Sequence, residues 1–271
     1  SLGWRDDEPD SRKKVLVIGD SFTFGWGVNN NETIPSNLEE IYNNEYDFIN
    51  LGFTAGRSPD SYTTYLRFHK DLQKIPIILI LYVNDWYEIE RNICVHADGN
   101  ISRSPTTGCN KIVGTETTIV NGTRFLGKKP NTAAKVPISI IYWIKQSYMV
   151  ASIRTITSYF MGTNAREIAA MESSKNLTKD DQDGLHGLLD EIFHLSGESL
   201  MIISLNSDDE TGENNKSFYG VVKKYCDLNN ETHCLNIPSL DIKKTFERDR
   251  HHNHLGTEYI ANIIRDYMEG N

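Results

Sequence analysis

The sequence predicts an α/β fold in which helices cover both faces of a central parallel sheet. Three observations support this prediction: short apolar runs recur along the chain, turn residues bound them, and helical stretches separate them. Strands buried on both faces read as continuous apolar runs rather than as alternating patterns. The predicted strands are Lys14–Ile18, Phe48–Leu51, Ile77–Val83, Leu200–Leu205 and Cys234–Ile237.

Helical periodicity fills several of the gaps between these strands. Ile34–Tyr42 is a predicted helix between the first two strands, and Asp60–Leu72 is another before the third. A last helix is expected at Gly256–Met268, where large apolar side chains recur at helical spacing. We expect this helix to close the domain.

More than a hundred residues between the third and fourth predicted strands do not fit a simple β-α repeat. We expect an insertion there, at about residues 92–198. Within it, Ile138–Phe160 is an apolar, aromatic helix candidate that either packs on the core or forms a lid or docking surface. No internal repeat or low-complexity tract divides the chain, so we expect a single domain over residues 1–271.

The composition excludes several classes of function. The chain of 271 residues has 28 Lys and Arg against 37 Asp and Glu, a net charge of −9. An acidic surface offers no electrostatic footprint for nucleic acid and is repelled by anionic lipid. The longest apolar run, Ile75–Val83, is about half of the roughly 20 residues that span a bilayer. We therefore expect no nucleic-acid partner and no membrane insertion of this chain.

A serine follows the first predicted strand directly, in the segment Gly19-Asp20-Ser21-Phe22-Thr23-Phe24-Gly25. Its hydroxyl is therefore expected at the carboxyl edge of the sheet, where open α/β folds bind ligands. If Ser21 begins a helix, free N–H groups point toward a neighbouring oxygen and favour an oxyanion. Alone, the Gly-Asp-Ser tripeptide is better explained as a helix cap and turn.

Other chain segments bring polar groups to the same edge. The second strand ends at Asn50-Leu51-Gly52 and the third is followed by Asn84-Asp85, so each offers an N–H donor. Asp249–Gly256, which contains a carboxylate and imidazoles, stands immediately before the last helix. A serine, separate N–H donors and an Asp with a His are the groups that acyl transfer through a tetrahedral intermediate requires.

These four segments, in this order, resemble the SGNH (GDSL-type) hydrolase family. Val15–Gly25 is similar to block I, Asn50–Gly52 to block II, Asn84-Asp85 to block III and Asp249–Gly256 to block V. Each motif is weak alone, but the ordered set covers nearly the whole chain. The resemblance implies a flavodoxin-like three-layer α/β/α sandwich, a serine nucleophile, no metal and no cofactor.

The resemblance also implies a role for each matching residue. Ser21 is the expected nucleophile, His251 the general base and then acid, and Asp249 the group that orients the imidazole. The expected oxyanion hole consists of the backbone N–H groups of Ser21 and Gly52 and the side-chain amide of Asn84.

Block V permits two choices of histidine. The usual D-x-x-H spacing pairs Asp249 with His252, whereas the continuation H-x-N-x-x-G fits only His251, with Asn253 and Gly256 in place. We therefore predict His251. Block III also departs from the usual pattern, since Tyr82 stands where the family has Gly, which changes pocket shape more than mechanism.

A metal site at block V is a further alternative, because several imidazoles and a carboxylate lie within six residues. Adjacent histidines generally cannot all face one ion, and no second ligand cluster occurs in the sequence. We therefore expect no metal. Trp26 and Arg57, which follow blocks I and II, are either substrate contacts or ordinary packing and loop residues.

The predicted function is a serine-dependent ester hydrolase that works through an acyl-enzyme. The form D-x-H-x-N-x-x-G resembles SGNH domains that act on O-acyl groups of surface polysaccharides, so an O-acetylated carbohydrate is the preferred substrate. Water or a sugar hydroxyl accepts the acyl group. The alternatives are a lysophospholipase or thioesterase with an apolar acyl channel, and a catalytically silent module that binds a glycan or a protein.

The four cysteines form two local pairs, Cys94 with Cys109 and Cys226 with Cys234. Neither has C-x-x-C metal spacing, so each pair is either a short disulfide of an exported protein or two reduced thiols, with disulfides slightly favoured. The cysteines, the absent initial Met and the family resemblance predict a periplasmic or extracellular protein, with a targeting or anchor segment missing from this chain.

Overall fold

The fold is built on a five-stranded parallel sheet, seen in a computed structural model. The structure describes residues 5–6, 10–43, 45–53, 57–83, 85, 93–95, 101–103, 111–113, 119–120, 123–124, 177–205, 217–246 and 251–270. The strands in these ranges are β1 Lys13–Gly19, β2 Tyr46–Gly52, β3 Ile77–Leu81, β4 Ile93–Val95, β5 Ile101–Arg103, β6 Lys111–Val113, β7 Ile119–Val120, β8 Thr123–Arg124, β9 Leu200–Leu205 and β10 His233–Ile237. The helices there are α1 Ser21–Phe24, α2 Ile34–Ile41, α3 Pro59–Phe68, α4 Lys179–Leu195, α5 Phe218–Leu228 and α6 His254–Gly270, with short 3-10 turns at Asn30–Glu32, Lys70–Leu72 and Ile242–Lys244.

The central sheet has the strand order β10-β9-β3-β1-β2, and all four pairings are parallel. The chain therefore leaves β1 toward one edge to form β2 and crosses over to form β3 on the other side of β1. Such a reversal of strand order opens a crevice outside the carboxyl ends of the two strands, where open α/β sheets bind ligands. Ser21 follows β1, and the turn Tyr82–Asp85 follows β3.

Each face of the sheet has its own apolar core. Side chains of α3, α4 and α5 pack on one face, and side chains of α1, α2 and α6 pack on the other. The predicted three-layer α/β/α class is therefore confirmed. Most residues of β1, β2, β3 and β9 are buried, as their continuous apolar sequences require, whereas the edge strand β10 is partly exposed.

In the part of the expected insertion, residues 92–198, that the structure describes, one helix belongs to the main layers. In α4, Leu185, Leu188, Leu189 and Ile192 are buried against the sheet, so α4 is part of the crossover from β3 to β9. The same range also holds two small antiparallel sheets, β5-β4-β6 and β7-β8. The helix candidate Ile138–Phe160 lies outside the described residues. None of the helices in the described ranges combines the length and hydropathy that crossing a lipid bilayer requires.

A disulfide joins Cys226, near the end of α5, to Cys234 in β10, with the two Cα atoms 6.2 Å apart. This pair agrees with the disulfide expected from the sequence. Cys109 and the side chain of Cys94 lie outside the described residues, so their pairing stays a prediction.

We expect the double substitution Cys226→Ser and Cys234→Ser to lower the free energy of unfolding by about 2–3 kcal/mol. The physical reason is the loop entropy that the cross-link removes from the unfolded chain, which is modest because the two cysteines are 8 residues apart. Guanidinium denaturation with and without dithiothreitol measures the effect. The reductant should destabilise the wild type more than the variant, because reduction of the predicted Cys94–Cys109 pair would affect both proteins alike, and equal stability of both proteins without reductant would contradict the cross-link.

Candidate active site

Ser21 is the first residue of α1, a single helical turn that starts directly after β1. Asp20, which is buried, caps this turn, since its Oδ1 accepts the backbone N–H of Phe22 at 3.0 Å. Gly25 ends the turn in the left-handed region, at φ 79°. The sharp change from strand to helix therefore holds the Ser21 hydroxyl at the carboxyl edge of the sheet.

Two glycines allow α1 to lie directly on the strand ends. A Cβ on Gly52, the last residue of β2, would stand 2.1 Å from the backbone N of Phe24. A Cβ on Gly19 would stand 2.2 Å from Thr23 Oγ1 and 2.6 Å from the carbonyl oxygen of Ile80. Real Cβ atoms do not approach other atoms so closely, so a side chain at either position would push the serine-bearing turn away.

His251 lies on a short extended segment before α6. Its carbonyl accepts the backbone N–H of Phe246 at 2.8 Å, and the next residue, His252, forms an isolated antiparallel bridge with Thr245. The segment that contains His251 is thus tied to the chain that follows β10.

Asn253 joins this segment to α6. Its Nδ2 donates to the carbonyl of Lys243 at 2.8 Å, while its Oδ1 accepts the N–H groups of Leu255 and Gly256 at 3.0 and 3.2 Å. A Cβ on Gly256 would lie 2.2 Å from the carbonyl oxygen of Lys244. Asn253 and Gly256, the residues that distinguished His251 from His252 in the sequence, are therefore the ones that shape the turn.

The two chain segments meet in a hydrogen bond between side chains. Ser21 Oγ lies 2.8 Å from His251 Nε2, and both residues are half-buried. The Phe22 ring stacks on the imidazole of His251, with 4.7 Å between the ring centroids. A hydroxyl at hydrogen-bond distance from an imidazole that is packed in place is the arrangement of an activated nucleophile.

His252, the alternative histidine, lies within the core rather than in the crevice. It is 3% exposed, its ring meets Phe22 edge-on at 4.9 Å, and neither ring nitrogen has a hydrogen-bond partner among the described residues. Burial, and to a lesser extent the neighbouring His251 imidazole, lowers the pKa of His252 to about 4. His252 is therefore neutral near pH 7 and puts no positive charge beside the imidazolium that proton transfer to His251 would form.

The lowered pKa of His252 predicts a loss of stability in acid. Between about pH 6.5 and pH 4 the unfolded chain binds a proton at this residue and the folded chain does not, so the free energy of unfolding falls as the pH falls. We expect a loss of about 2–3 kcal/mol between pH 7 and pH 4.5 in urea denaturation, relative to the variant His252→Phe.

The comparison with His252→Phe is needed because a second buried group opposes the trend. Burial raises the pKa of Asp60 to about 7, and this carboxyl group favours the unfolded state increasingly as the pH rises from about 4 to 7. Both proteins contain Asp60, so its contribution cancels in the difference. Parallel pH profiles of the two proteins would contradict the buried neutral state of His252.

The Gly52 N–H, one of the expected oxyanion donors, makes a local bond in the structure. It donates to Asn50 Oδ1 at 2.9 Å, while the backbone N–H of Asn50 donates to Asp6 Oδ2 at 2.6 Å. The side chains of Asn50 and Asp6 thus fix the backbone at the end of β2. The Gly52 N–H can stabilise an oxyanion only if it shares or leaves its bond with Asn50.

The turn after β3 is held by a buried carboxylate that sequence reasoning did not single out. Asp85 Oδ1 accepts the hydroxyl of Tyr62 at 2.7 Å, and its Oδ2 accepts the backbone N–H of Tyr82 at the same distance. Asp85 therefore ties the turn to α3. The signal available in the sequence was an acidic residue directly after a buried strand.

Two of the expected site residues, Asn84 and Asp249, lie outside the described residues, so their roles stay predictions. Arg57 is half-buried just before α3, and its carbonyl accepts the Tyr62 hydroxyl at 3.2 Å. Trp26 lies two residues after α1, with 52% of its surface exposed. In the described part of the chain, no three His, Cys, Asp or Glu side chains cluster as metal ligands.

Comparison with known proteins finds a weak likeness between this fold and a solved structure. No protein-family model matches the sequence, and no curated protein matches it. Among solved structures, an acetyl xylan esterase (Est2A) from the rumen bacterium Butyrivibrio proteoclasticus aligns with 98% of this chain, at 11% sequence identity and a TM-score of 0.47. The alignment spans 65% of the esterase chain. At this identity and TM-score, the likeness says nothing about which reaction the chain performs.

Proposed function

We propose that this chain is an SGNH-type serine esterase that removes or transfers a short acyl group. The observation that carries the proposal is the 2.8 Å contact between Ser21 Oγ and His251 Nε2, formed by residues 230 positions apart. The contact lies at the carboxyl edge of the sheet, beside the crevice between β1 and β3. A catalytically silent module would have no chemical need for this pair.

In the proposed mechanism, Ser21 Oγ attacks the carbonyl carbon of the ester while His251 Nε2 accepts the hydroxyl proton. The tetrahedral intermediate collapses when the imidazolium protonates the departing alcohol oxygen, which leaves the acyl group on Ser21. Water then attacks the acyl-enzyme with His251 as base, and the acid is released. If a sugar hydroxyl attacks instead, the product is a new ester and the enzyme is an O-acyltransferase.

The remaining roles in this mechanism follow the sequence resemblance. Asp249 would accept a hydrogen bond from Nδ1 of His251, a ring atom that is shielded from solvent, and so fix the tautomer that the reaction needs. The N–H of Ser21, the N–H of Gly52 and the amide of Asn84 would stabilise the oxyanion. In serine hydrolases each such donor contributes about 3–4 kcal/mol to the transition state.

An O-acetyl group on a carbohydrate is the proposed substrate, since the block V pattern is of the kind found in SGNH domains that act on polysaccharides. Hydrolysis of p-nitrophenyl esters of increasing chain length tests this proposal. We expect the highest kcat/KM for acetate. A preference for acyl chains of eight or more carbons would contradict it and favour the lysophospholipase or thioesterase alternative.

Labelling with a fluorophosphonate probe tests the chemistry independently of the substrate. We expect the wild-type protein to react at one serine, identified as Ser21 by mass spectrometry of the labelled peptide. A protein that is inert to the probe and to every ester offered would contradict the esterase and favour the binding module.

We also propose a periplasmic or extracellular location. The Cys226–Cys234 disulfide supports it, because disulfides persist mainly in oxidising compartments. Fractionation of the producing cells, with a cytosolic enzyme as marker, should find the protein apart from that marker. Co-purification with the cytosol would contradict the proposed location.

A further inference from the structure

The loop Gly25–Val28, which leaves α1 directly, displays an aromatic side chain in a constrained backbone. Trp26 is 52% exposed, and the glycines on either side of it both have a left-handed backbone, at φ 79° and 89°. A Cβ on Gly25 would stand 2.7 Å from Thr33 Cγ2. The loop therefore needs glycine at the residues that flank the tryptophan.

The Trp26 loop contacts the chain segments that carry the two residues of the candidate active site. The backbone N–H of Trp26 donates to the carbonyl of Ser21 at 3.0 Å. On the other side, Gly27 packs so closely on the Phe246 ring that a Cβ would stand 2.7 Å from its Cε2, and the Phe246 N–H donates to the carbonyl of His251. The loop that carries Trp26 thus borders the site.

Arg5 holds both ends of this loop. Its Nη1 donates to the carbonyls of Phe24, at 3.0 Å, and Gly25, while its Nη2 donates to the carbonyl of Val28. The guanidinium carbon lies 5.0 Å from the centre of the Phe24 ring. One side chain therefore satisfies carbonyls before and after Trp26, which restricts the motion of the loop.

An exposed indole on a fixed loop beside a nucleophile suits a ligand with a flat apolar face. A pyranose ring has such a face, formed by its C–H groups, and its hydroxyl groups stay in contact with water while it stacks. A long acyl chain would instead need an enclosed apolar channel. We propose that Trp26 stacks on the sugar ring of an O-acylated carbohydrate bound at Ser21, and that Arg5 keeps this platform in place; the proposal rests on the esterase function above.

The test compares a sugar ester with an ester that has no ring. The substrates are randomly and partially acetylated cello-oligosaccharides, in which every hydroxyl position is represented, and ethyl acetate. We expect Trp26→Ala to raise the ratio of the two KM values, sugar over ethyl acetate, by about five- to tenfold. Trp26→Phe should restore most of the wild-type ratio.

Phe68→Ala is the matched control, since Phe68 is also an exposed aromatic residue, 42% exposed, at the end of α3. It should leave the ratio of KM values at the wild-type level. An unchanged ratio in Trp26→Ala, or an equal rise in Phe68→Ala, would overturn the platform.

Arg5 is tested by a double-mutant cycle. If Arg5 acts through the loop, Arg5→Ala should raise the ratio of KM values by itself and add almost nothing in the Trp26→Ala background. Arg5→Lys should restore only part of the effect, because an ammonium group cannot span three carbonyls as a guanidinium does. Independent, multiplying effects of Arg5→Ala and Trp26→Ala would contradict the role of Arg5.

Calorimetric titration of Ser21→Ala with the same oligosaccharides separates this inference from the esterase function. The platform predicts binding that Trp26→Ala weakens about five- to tenfold in that background. Loss of binding in the double variant supports the platform even if the wild-type protein hydrolyses no ester. If Trp26→Ala leaves binding unchanged in the Ser21→Ala background while the wild-type protein hydrolyses esters, the platform is overturned and the esterase function stands.

Discussion

Replacement of Ser21 by Ala is expected to lower kcat/KM for p-nitrophenyl acetate by about 10⁴-fold or more and to abolish fluorophosphonate labelling. The substitution removes the atom that forms the acyl-enzyme. It should not disturb the turn itself, because the cap of α1 is the carboxylate of Asp20. Steady-state hydrolysis and mass spectrometry of the probe-treated protein measure the two effects.

Thr23→Val is the matched control for Ser21→Ala. It removes a hydroxyl from the same turn, and Thr23 Oγ1 is buried with no hydrogen-bond partner among the described residues. We expect this variant to be labelled and to hydrolyse esters within about threefold of the wild type, since a buried hydroxyl without a partner contributes little. Continued turnover and labelling in Ser21→Ala would place the nucleophile elsewhere.

Replacement of His251 by Ala is the second large change expected. It removes the proposed base for the Ser21 proton, so kcat/KM should fall by about 10³-fold or more, and probe labelling should slow comparably. Because the Phe22 ring also loses its stacking partner, thermal unfolding must be measured on the same sample. Activity is then compared at a temperature where both proteins are folded.

His252→Phe separates the two histidines. The His252 side chain packs against Phe22 and forms no hydrogen bond within the described ranges, so an aromatic replacement keeps its packing role. We expect activity within about threefold of the wild type. Loss of activity in His252→Phe together with retention in His251→Ala would show that the D-x-x-H spacing identifies the base.

The sequence predicted most of the sheet and the pair at its edge for physical reasons. Short continuous apolar runs bounded by turn residues identified β1, β2, β3 and β9, which are largely buried, and also the partly exposed edge strand β10. Ser21 was found because it follows a predicted strand directly, whereas His251 was chosen over His252 by the family resemblance, whose block V pattern Asn253 and Gly256 match. In the structure, the Asn253 side chain bonds to the backbone of the turn at the start of α6, and Gly256 has no Cβ to collide with the carbonyl oxygen of Lys244.

Other features depend on contacts that no local pattern reveals. Arg5 meets carbonyls of the Trp26 loop far along the chain, and Asn50 bonds to the N–H of Gly52 through its side chain. The residues of α4 fell within the expected insertion, because the long stretch between the third and fourth predicted strands does not fit a simple β-α repeat. Its capping box, in which Thr178 and Asp181 bond reciprocally, was a local indication of a helix start.

Ser21 and His251 are 230 residues apart in the sequence, so their hydrogen bond can form only after nearly the whole chain has folded. During synthesis the nucleophile leaves the ribosome early, but its base follows only after every central strand has been made. A nascent or partly folded chain holds the serine without the imidazole and should react slowly with the probe. The rate of fluorophosphonate labelling during refolding therefore follows the meeting of two segments 230 residues apart, which contacts within single helices do not report.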